Sequence, residues 1–176
     1  SNPVMNIRQK SRFLQKAQSS RITRKLSDTQ WQVLVDVIAK KATEESRYMR
    51  HWFLIATFYL LGLRISELAD TNWHKPTMGD FFRDSQNRWW FKTIGKGNKY
   101  REIAVPDALL SYLRGFRKHL GLSSLPSAHD NTPLVPKYRG QGSIGIRQLR
   151  KMIQEAFDLA IDSLIKSQQQ EEADLM

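Results

Sequence analysis

The fold is decided by residues 52–70, which read WFLIATFYLLGLRISELAD. The first two thirds of this stretch are apolar almost all round, which is typical of a helix at the centre of a core. Gly62 stands where such a helix would end, because a residue that tolerates positive φ commonly terminates a helix. We therefore predict a buried helix from near Glu44 to Leu61 and a short helical turn from Ser66 to Asp70.

Helical patterns flank this stretch on both sides. Ser27 to Gln30 form a capping-box sequence, and the apolar residues that follow recur at helical spacing. Pro106 and Asp107 open another helix, and the last helix begins near Ile144. Beyond Lys166 the chain becomes polar, so we expect the helix to fray there.

Between these helices, residues 81–105 change in character. Aromatic and β-branched runs at Phe81-Phe82, Trp89 to Phe91 and Tyr100 to Val105 predict strands. Gly95 to Lys99 is a glycine-rich turn, which favours a β-hairpin. A polar loop, rich in proline and serine, runs from Gly121 to Gly142. The expected fold class is therefore mainly α with a small three-stranded antiparallel β-sheet (α+β).

The composition is that of a globular domain with a large excess of positive charge. Of the 176 residues, 40% are apolar and 26% are charged, so the chain is long enough and apolar enough to bury a core. Twenty-eight Lys and Arg against 17 Asp and Glu give a formal net charge of +11. Such an excess indicates a polyanionic partner, either nucleic acid or an anionic membrane surface.

Several classes of site are excluded by the residues that are missing. The absence of cysteine excludes a disulfide scaffold, a thiolate metal site and a cysteine nucleophile. The four histidines lack metal-ligand spacing, and Gly95-Lys96-Gly97 does not have the spacing of a nucleotide-binding P-loop. Residues 140–145 match G-x-G-x-x-G, but no βαβ pattern surrounds them. We expect no metal, no cofactor and no nucleotide.

The chain has no sequence feature of a membrane or secreted protein. Its longest apolar run, from Trp52 to Leu63, is too short to span a bilayer, and residues 1–25 hold no apolar stretch long enough for a signal peptide. We therefore expect no membrane partner and a soluble, cytoplasmic protein.

Residues 1–25 form a segment of their own, with seven basic residues and no hydrophobic pattern. Ser1-Asn2 is typical of the remnant of a cloning tag. Two interpretations of the segment are open: a solvated linker, or a basic arm that lies along a phosphate backbone.

Two basic residues are candidates for chemistry. Arg64 follows the predicted buried helix, where a guanidinium is costly unless it is paired or binds a ligand. Either it pairs with Glu67 or Asp70, or its planar fork binds a phosphate. Lys96 lies at the tip of the predicted hairpin, as a solvated turn residue or as part of a basic ribbon that enters a nucleic-acid groove. Six further basic residues are candidate nucleic-acid contacts: Lys92, Lys99, Arg101, Lys137, Arg139 and Arg147.

Taken together, these segments resemble the catalytic domain of the tyrosine recombinase (phage integrase) family. Residues 58–68, FYLLGLRISEL, look like that family's first catalytic-arginine motif. Residues 94–106, IGKGNKYREIAVP, are similar to its β-hairpin that carries the catalytic lysine. The resemblance assigns residues 26–166 to the N-terminal portion of the catalytic domain, between the arm of residues 1–25 and a polar tail of residues 167–176.

The resemblance implies roles for both candidates. Arg64 would hold the non-bridging oxygens of the scissile phosphate, where charge builds up in the transition state. Lys96 would be the general acid that protonates the departing 5′ oxygen, and Glu67 would be a structural partner of the Arg64 region. Such chemistry uses neither a metal nor a nucleotide. The implied partner is duplex DNA, bound as a homo-oligomer by the full-length protein, with a nucleoid location when DNA is bound.

The second half of the chain departs from the family's pattern. None of the four histidines has an arginine three positions later, so the His-x-x-Arg motif is absent. All five tyrosines precede the final helix, and the family's nucleophile does not lie in that part of the domain. We interpret the chain as an incomplete recombinase or integrase catalytic domain of a mobile element, inactive alone. Full-length protein would cleave and rejoin DNA through a phosphotyrosine intermediate. The alternatives are a DNA-binding module without catalysis and a basic helical adaptor for other proteins.

Overall fold

The computed structural model describes residues 26–176. These residues fall into two compact units, one of residues 26–55 with 152–176 and the other of residues 56–151. The arm predicted for residues 1–25 lies outside the described residues.

The first unit begins with helix α1, Asp28–Glu44. The predicted capping box is confirmed: the Ser27 hydroxyl accepts from the Gln30 N–H at 3.2 Å, and the Gln30 side chain accepts from the Ser27 N–H at 2.8 Å. Leu34 and Ile38 are fully buried on the apolar face. The helix therefore forms where a local cap and a periodic apolar face agree.

The apolar helix of the opening stretch is α2, Met49–Leu61. A start near Glu44 is wrong, because the chain becomes extended at Glu45 (φ −135°, ψ 109°) and then forms a 3-10 turn, Ser46–Tyr48. Gly62 ends α2 as predicted, with φ of +67° and its N–H donating to the Phe58 carbonyl at 3.0 Å.

The second unit contains the predicted three-stranded antiparallel sheet. Its strands are β1, Phe81–Arg83, β2, Trp89–Gly95, and β3, Lys99–Ala104, in the order β1-β2-β3. The turn between β2 and β3 has left-handed backbone at Gly97 (φ +78°) and Asn98 (φ +57°), as tight hairpins require. The sheet and the helices together confirm the α+β class.

Two further helices follow from local signals in the sequence. The short turn α3 spans Ile65–Leu68, slightly earlier than predicted, and α4 spans Asp107–His119 after Pro106. At the end of α4, the buried Arg117 side chain donates to the Ser123 carbonyl at 2.7 Å and to the Asp130 carboxylate at 3.1 Å. This arginine holds the loop that follows α4.

The last helix, α5, spans Ile146–Asp174. The predicted fraying beyond Lys166 is wrong, because the helix continues through the polar run. Its last turns carry side-chain hydrogen bonds one turn apart, from Gln168 to Glu172 at 3.1 Å and from Gln170 to Asp174 at 2.7 Å, and such pairs stabilise exposed helices. None of the helices in residues 26–176 combines the length and the apolar character needed to cross a membrane.

Candidate nucleic-acid interface

Glu67 joins the turn that carries Arg64 to the hairpin that carries Lys96. Its carboxylate is buried and accepts twice from Arg101 on β3, from Nε at 2.8 Å and from Nη2 at 2.9 Å. The same carboxylate accepts from the Arg64 N–H at 2.9 Å. We call this group, made of the Glu67 carboxylate, the Arg101 guanidinium and the backbone N–H of Arg64, the Glu67 clamp. A bidentate arginine pair of this kind fixes geometry as well as adding energy.

A second contact attaches the hairpin to the same turn. The buried Thr93 hydroxyl on β2 donates to the Glu67 carbonyl at 2.9 Å. The indole N–H of Trp73 donates to the Ile94 carbonyl, also on β2, at 3.1 Å. Strand β2 is therefore tied at two points to the segment that contains α3, and β3 is tied to the same segment through Arg101.

The loop before α5 reaches the far end of that segment. Asp70 donates its N–H to the Ile144 carbonyl at 2.9 Å and forms a parallel bridge with Gly145. Pro136 and Ser143 form an antiparallel bridge, which closes what we call the 136–143 loop. Three segments distant in sequence, α3, the β2–β3 hairpin and the 136–143 loop, are thus joined in one region.

Arg64 is exposed in this region and makes no ion pair with any residue in 26–176. The interpretation that it pairs with Glu67 or Asp70 is wrong, because these carboxylates bind Arg101 and Lys75 instead. Since its guanidinium lies in water, the burial cost expected from the sequence does not arise. The arginine is therefore available to an anion from outside.

Lys96 is exposed at the tip of the hairpin, in the left-handed turn that follows Gly95. It has no acidic partner among the described residues. Four other candidate contacts, all exposed, share this property: Lys99, Lys137, Arg139 and Arg147. These side chains meet no carboxylate that would compete with a phosphate.

Lys92 differs, because its ammonium lies 3.8 Å from the buried Asp80 carboxylate. Asp80 also accepts from the Thr77 N–H at 3.1 Å and shares a hydrogen bond of 2.9 Å with His74. Lys92 and Arg101 are thus the two candidates with acidic partners in residues 26–176, and both partners are buried. We infer that the main role of these two cations is to hold the hairpin in place through their ion pairs, rather than to bind a ligand.

Charge is divided unevenly between the two units. Residues 56–151 contain 16 basic and seven acidic side chains, a net +9, whereas residues 26–55 and 152–176 contain five and ten, a net −5. Five of the seven acids of the basic unit form ion pairs: Glu67, Asp70, Asp80, Asp84 and Asp130. A net charge of this size attracts polyanions, and the acids that are already paired are not free to bind the remaining cations.

Tyr100 is the tyrosine of the hairpin, next to Lys99. Its hydroxyl donates to the Glu102 carboxylate, and this hydrogen bond raises the pKa of the phenol. A raised pKa opposes the phenolate that a nucleophilic tyrosine requires. In this structure the Tyr100 hydroxyl is engaged by a carboxylate of its own strand, β3.

The sequence indicates the candidate cations but not two of the tertiary contacts around them. The contact of Lys92 with Asp80 joins β2 to a 3-10 turn, Met78–Asp80, that has no signal in the sequence. The approach of the 136–143 loop to Asp70 was also missed, since long-range bridges leave no local pattern. Glu67 had a signal, because an acid three residues after the start of a helix commonly accepts from its first N–H.

No three histidine, aspartate or glutamate side chains in residues 26–176 lie close enough together to hold a metal ion. Comparison with models of known protein families and with curated proteins finds no match to the chain.

Proposed function

We propose that this chain is a catalytic-domain portion of a tyrosine-type site-specific recombinase, in which Arg64 and Lys96 act on a DNA phosphate. The observation that carries the proposal is the Glu67 clamp. It ties the turn of Arg64 to the hairpin of Lys96 and engages the buried carboxylate with Arg101, so that Arg64 stays unpaired. The likeness of residues 58–68 and 94–106 to the family's motifs supports the same assignment.

Arg64 has the chemistry that phosphate activation needs. Its guanidinium is a planar fork of donors that matches two non-bridging oxygens, and it stabilises the charge that they gain in the transition state. Because no described carboxylate holds it, binding a phosphate breaks no ion pair. Arg64 is therefore the electrostatic catalyst of the proposed reaction.

Lys96 has the position of a general acid. In the complete reaction, a tyrosine that has given up its phenolic proton attacks phosphorus as the phenolate, the bond from phosphorus to the 5′ oxygen breaks, and Lys96 gives one proton to that departing oxygen. The left-handed turn at Gly97 and Asn98 presents Lys96 to solvent, beyond the paired part of the hairpin. No residue of this chain matches the family's nucleophile or its His-x-x-Arg motif, so we propose that the chain alone binds DNA without cleaving it.

A DNA-binding module without chemistry is the second candidate. The missing His-x-x-Arg motif and the position of all five tyrosines before the final helix favour it. Both candidates predict the same DNA-binding surface, and they differ in whether the complete protein cleaves a DNA strand, with Lys96 as the donor of a proton to the departing oxygen. The adaptor hypothesis predicts no DNA binding at all.

The DNA-binding surface that both candidates predict can be tested with a labelled duplex. Its binding is measured by fluorescence anisotropy over a range of salt concentrations. If the six unpaired candidates all contact phosphates, the logarithm of the association constant should fall with the logarithm of salt with a slope of about −5. Arg64→Ala should reduce this slope by about one and weaken binding, and Arg64→Lys should restore the slope but not all of the affinity.

Lys40→Ala is the matched control, because it removes one exposed positive charge from α1 in the acidic unit. Equal losses from Lys40→Ala and Arg64→Ala would show that net charge alone governs binding, which would contradict the proposed site. Absence of binding even at low salt would refute DNA as the partner. A covalent adduct with a nicked duplex on a denaturing gel would contradict the prediction that the chain alone does not cleave.

A further inference from the structure

We propose that the 136–143 loop is a second DNA-contacting element, in which Tyr138 stacks on an unpaired base. The inference rests on the proposed function, because it assumes that the basic unit binds DNA. It adds to that function a preference for DNA with an unpaired base next to the bound phosphate.

The base of the loop is held firmly enough to present its tip. Pro136 and Ser143 form the closing bridge, and the Lys137 N–H donates to the Gly142 carbonyl at 3.1 Å. The buried Ser143 hydroxyl bonds to both the N–H and the carbonyl of Val135, each at 3.2 Å. The base of the loop is therefore held by backbone pairing and by a buried hydroxyl.

The tip combines an aromatic ring with cations. Tyr138 is 65% exposed, between the exposed Lys137 and Arg139. Neither of these two cations has an acidic partner in residues 26–176, and residues 137–142 contain no acid. A large exposed ring between basic residues is the arrangement that binds unpaired nucleic acid, where the ring covers a base and the cations meet phosphates.

The positive charge continues from the loop into α5. Arg147, Arg150 and Lys151 are all exposed and recur three and four residues apart, so they share one face of the first turns of the helix. These cations suit the phosphates on either side of a base that stacks on Tyr138.

The location of the loop explains the choice of partner. Its base is joined through Ile144 and Asp70 to the segment that begins with Arg64. An intact duplex offers no free base face to an aromatic ring, whereas a base that is unpaired or turned out of the stack does. The loop is therefore suited to hold an unpaired base while Arg64 holds the phosphate.

The experiment compares two labelled duplexes of the same sequence, one fully paired and one with a single bulged base. Wild-type chain should bind the bulged duplex about tenfold more tightly, because stacking of one base on an aromatic ring has about this effect. Tyr138→Ala should abolish the preference, and Tyr138→Phe, which keeps the ring, should retain it. Lys137→Ala should weaken binding to both duplexes by the same factor.

The outcomes separate this inference from the proposed function. If Tyr138→Ala keeps the preference, or weakens both duplexes equally, the stacking role is refuted while binding through Arg64 stands. If Tyr138→Phe behaves like Tyr138→Ala, the ring is not responsible and the inference also fails. If wild-type chain binds neither duplex, the proposed function fails. Circular dichroism of each variant checks that the fold is intact, as expected for substitutions at exposed positions.

Discussion

Replacing Glu67 by glutamine is expected to loosen the attachment between α3 and the β-hairpin. The carboxylate accepts three hydrogen bonds, two from the Arg101 guanidinium and one from the Arg64 N–H. Glutamine keeps one accepting oxygen but places an NH₂ group where an arginine N–H must be accepted. At least one charge-assisted hydrogen bond is therefore lost, together with the ion pair.

The size of the loss follows from the burial of the two partners. Removing one member of a fully buried ion pair costs about 3–5 kcal/mol. The Arg101 side chain is 47% exposed, so water screens the intact ion pair and solvates the guanidinium once the pair is broken. We therefore expect Glu67→Gln to lower the free energy of unfolding by about 2 kcal/mol instead. For a chain of this length such a loss lowers the melting temperature by roughly 4–8 °C.

A double-mutant cycle on Glu67→Gln and Arg101→Ala, followed by urea unfolding, isolates the pair. We expect a coupling free energy of about 1–2 kcal/mol. Glu172→Gln is the matched control, because this glutamate is exposed near the end of α5, and its replacement should change the free energy of unfolding by less than about 0.5 kcal/mol. A coupling no larger than this control value would refute the Glu67 clamp.

Binding of DNA by the same variant separates positioning from net charge. Glu67→Gln removes a negative charge, so long-range electrostatics alone predict tighter binding. If the clamp positions the hairpin and Arg64, binding should weaken instead. Tighter binding would therefore contradict the positioning role even if the stability prediction holds.

Three further predictions concern groups outside the candidate site. Burial lowers the pKa of His51, and the hydrogen bond to Glu155 offsets this shift only in part. The folded protein therefore resists protonation of this imidazole, and its stability should fall as the pH drops below 6.5. Thermal melts of His51→Gln should lack that fall. Hydrogen bonds, with that of the Trp90 indole the largest, lower the pKa of Asp84 to about 2, so its stabilisation is present above pH 3.8 and lost toward pH 2. The difference in melting temperature between wild type and Asp84→Asn should narrow over that range, and a constant difference would contradict the assignment. Arg117→Met should cost about 3 kcal/mol in urea unfolding, because it leaves a carboxylate and a carbonyl near α4 without their donor, and an unchanged midpoint would exclude this role.

Local structure was predictable wherever a signal acts over a few residues. The capping box at Ser27, the helix end at Gly62 and the turn at Gly97 each depend on nearby backbone and side-chain atoms, so the pattern alone located them. The boundaries that were wrong have local causes too. A break at Glu45 falls inside a continuous helical pattern, and the polar end of α5 is held by hydrogen bonds one turn apart.

The candidate site was predictable only as a set of residues. Composition and motif resemblance selected Arg64 and Lys96, because an excess of cations and the order of two motifs are properties of the linear chain. The pairing of particular acids with particular cations is not a property of the linear chain. It depends on which side chains the folded backbone brings within about 3 Å of each other, the distance at which a hydrogen bond forms.

The sequence by itself therefore determined the α+β elements, the basic character and the candidate cations of this protein. Tertiary structure decided that Glu67 binds Arg101 and leaves Arg64 unpaired. The reason lies in the register of the sheet, which places Arg101 opposite Thr93, the residue whose hydroxyl bonds to the Glu67 carbonyl. That register sets the position of the Arg101 guanidinium relative to a buried carboxylate, and an ion pair forms with whichever cation reaches the carboxylate at hydrogen-bond distance.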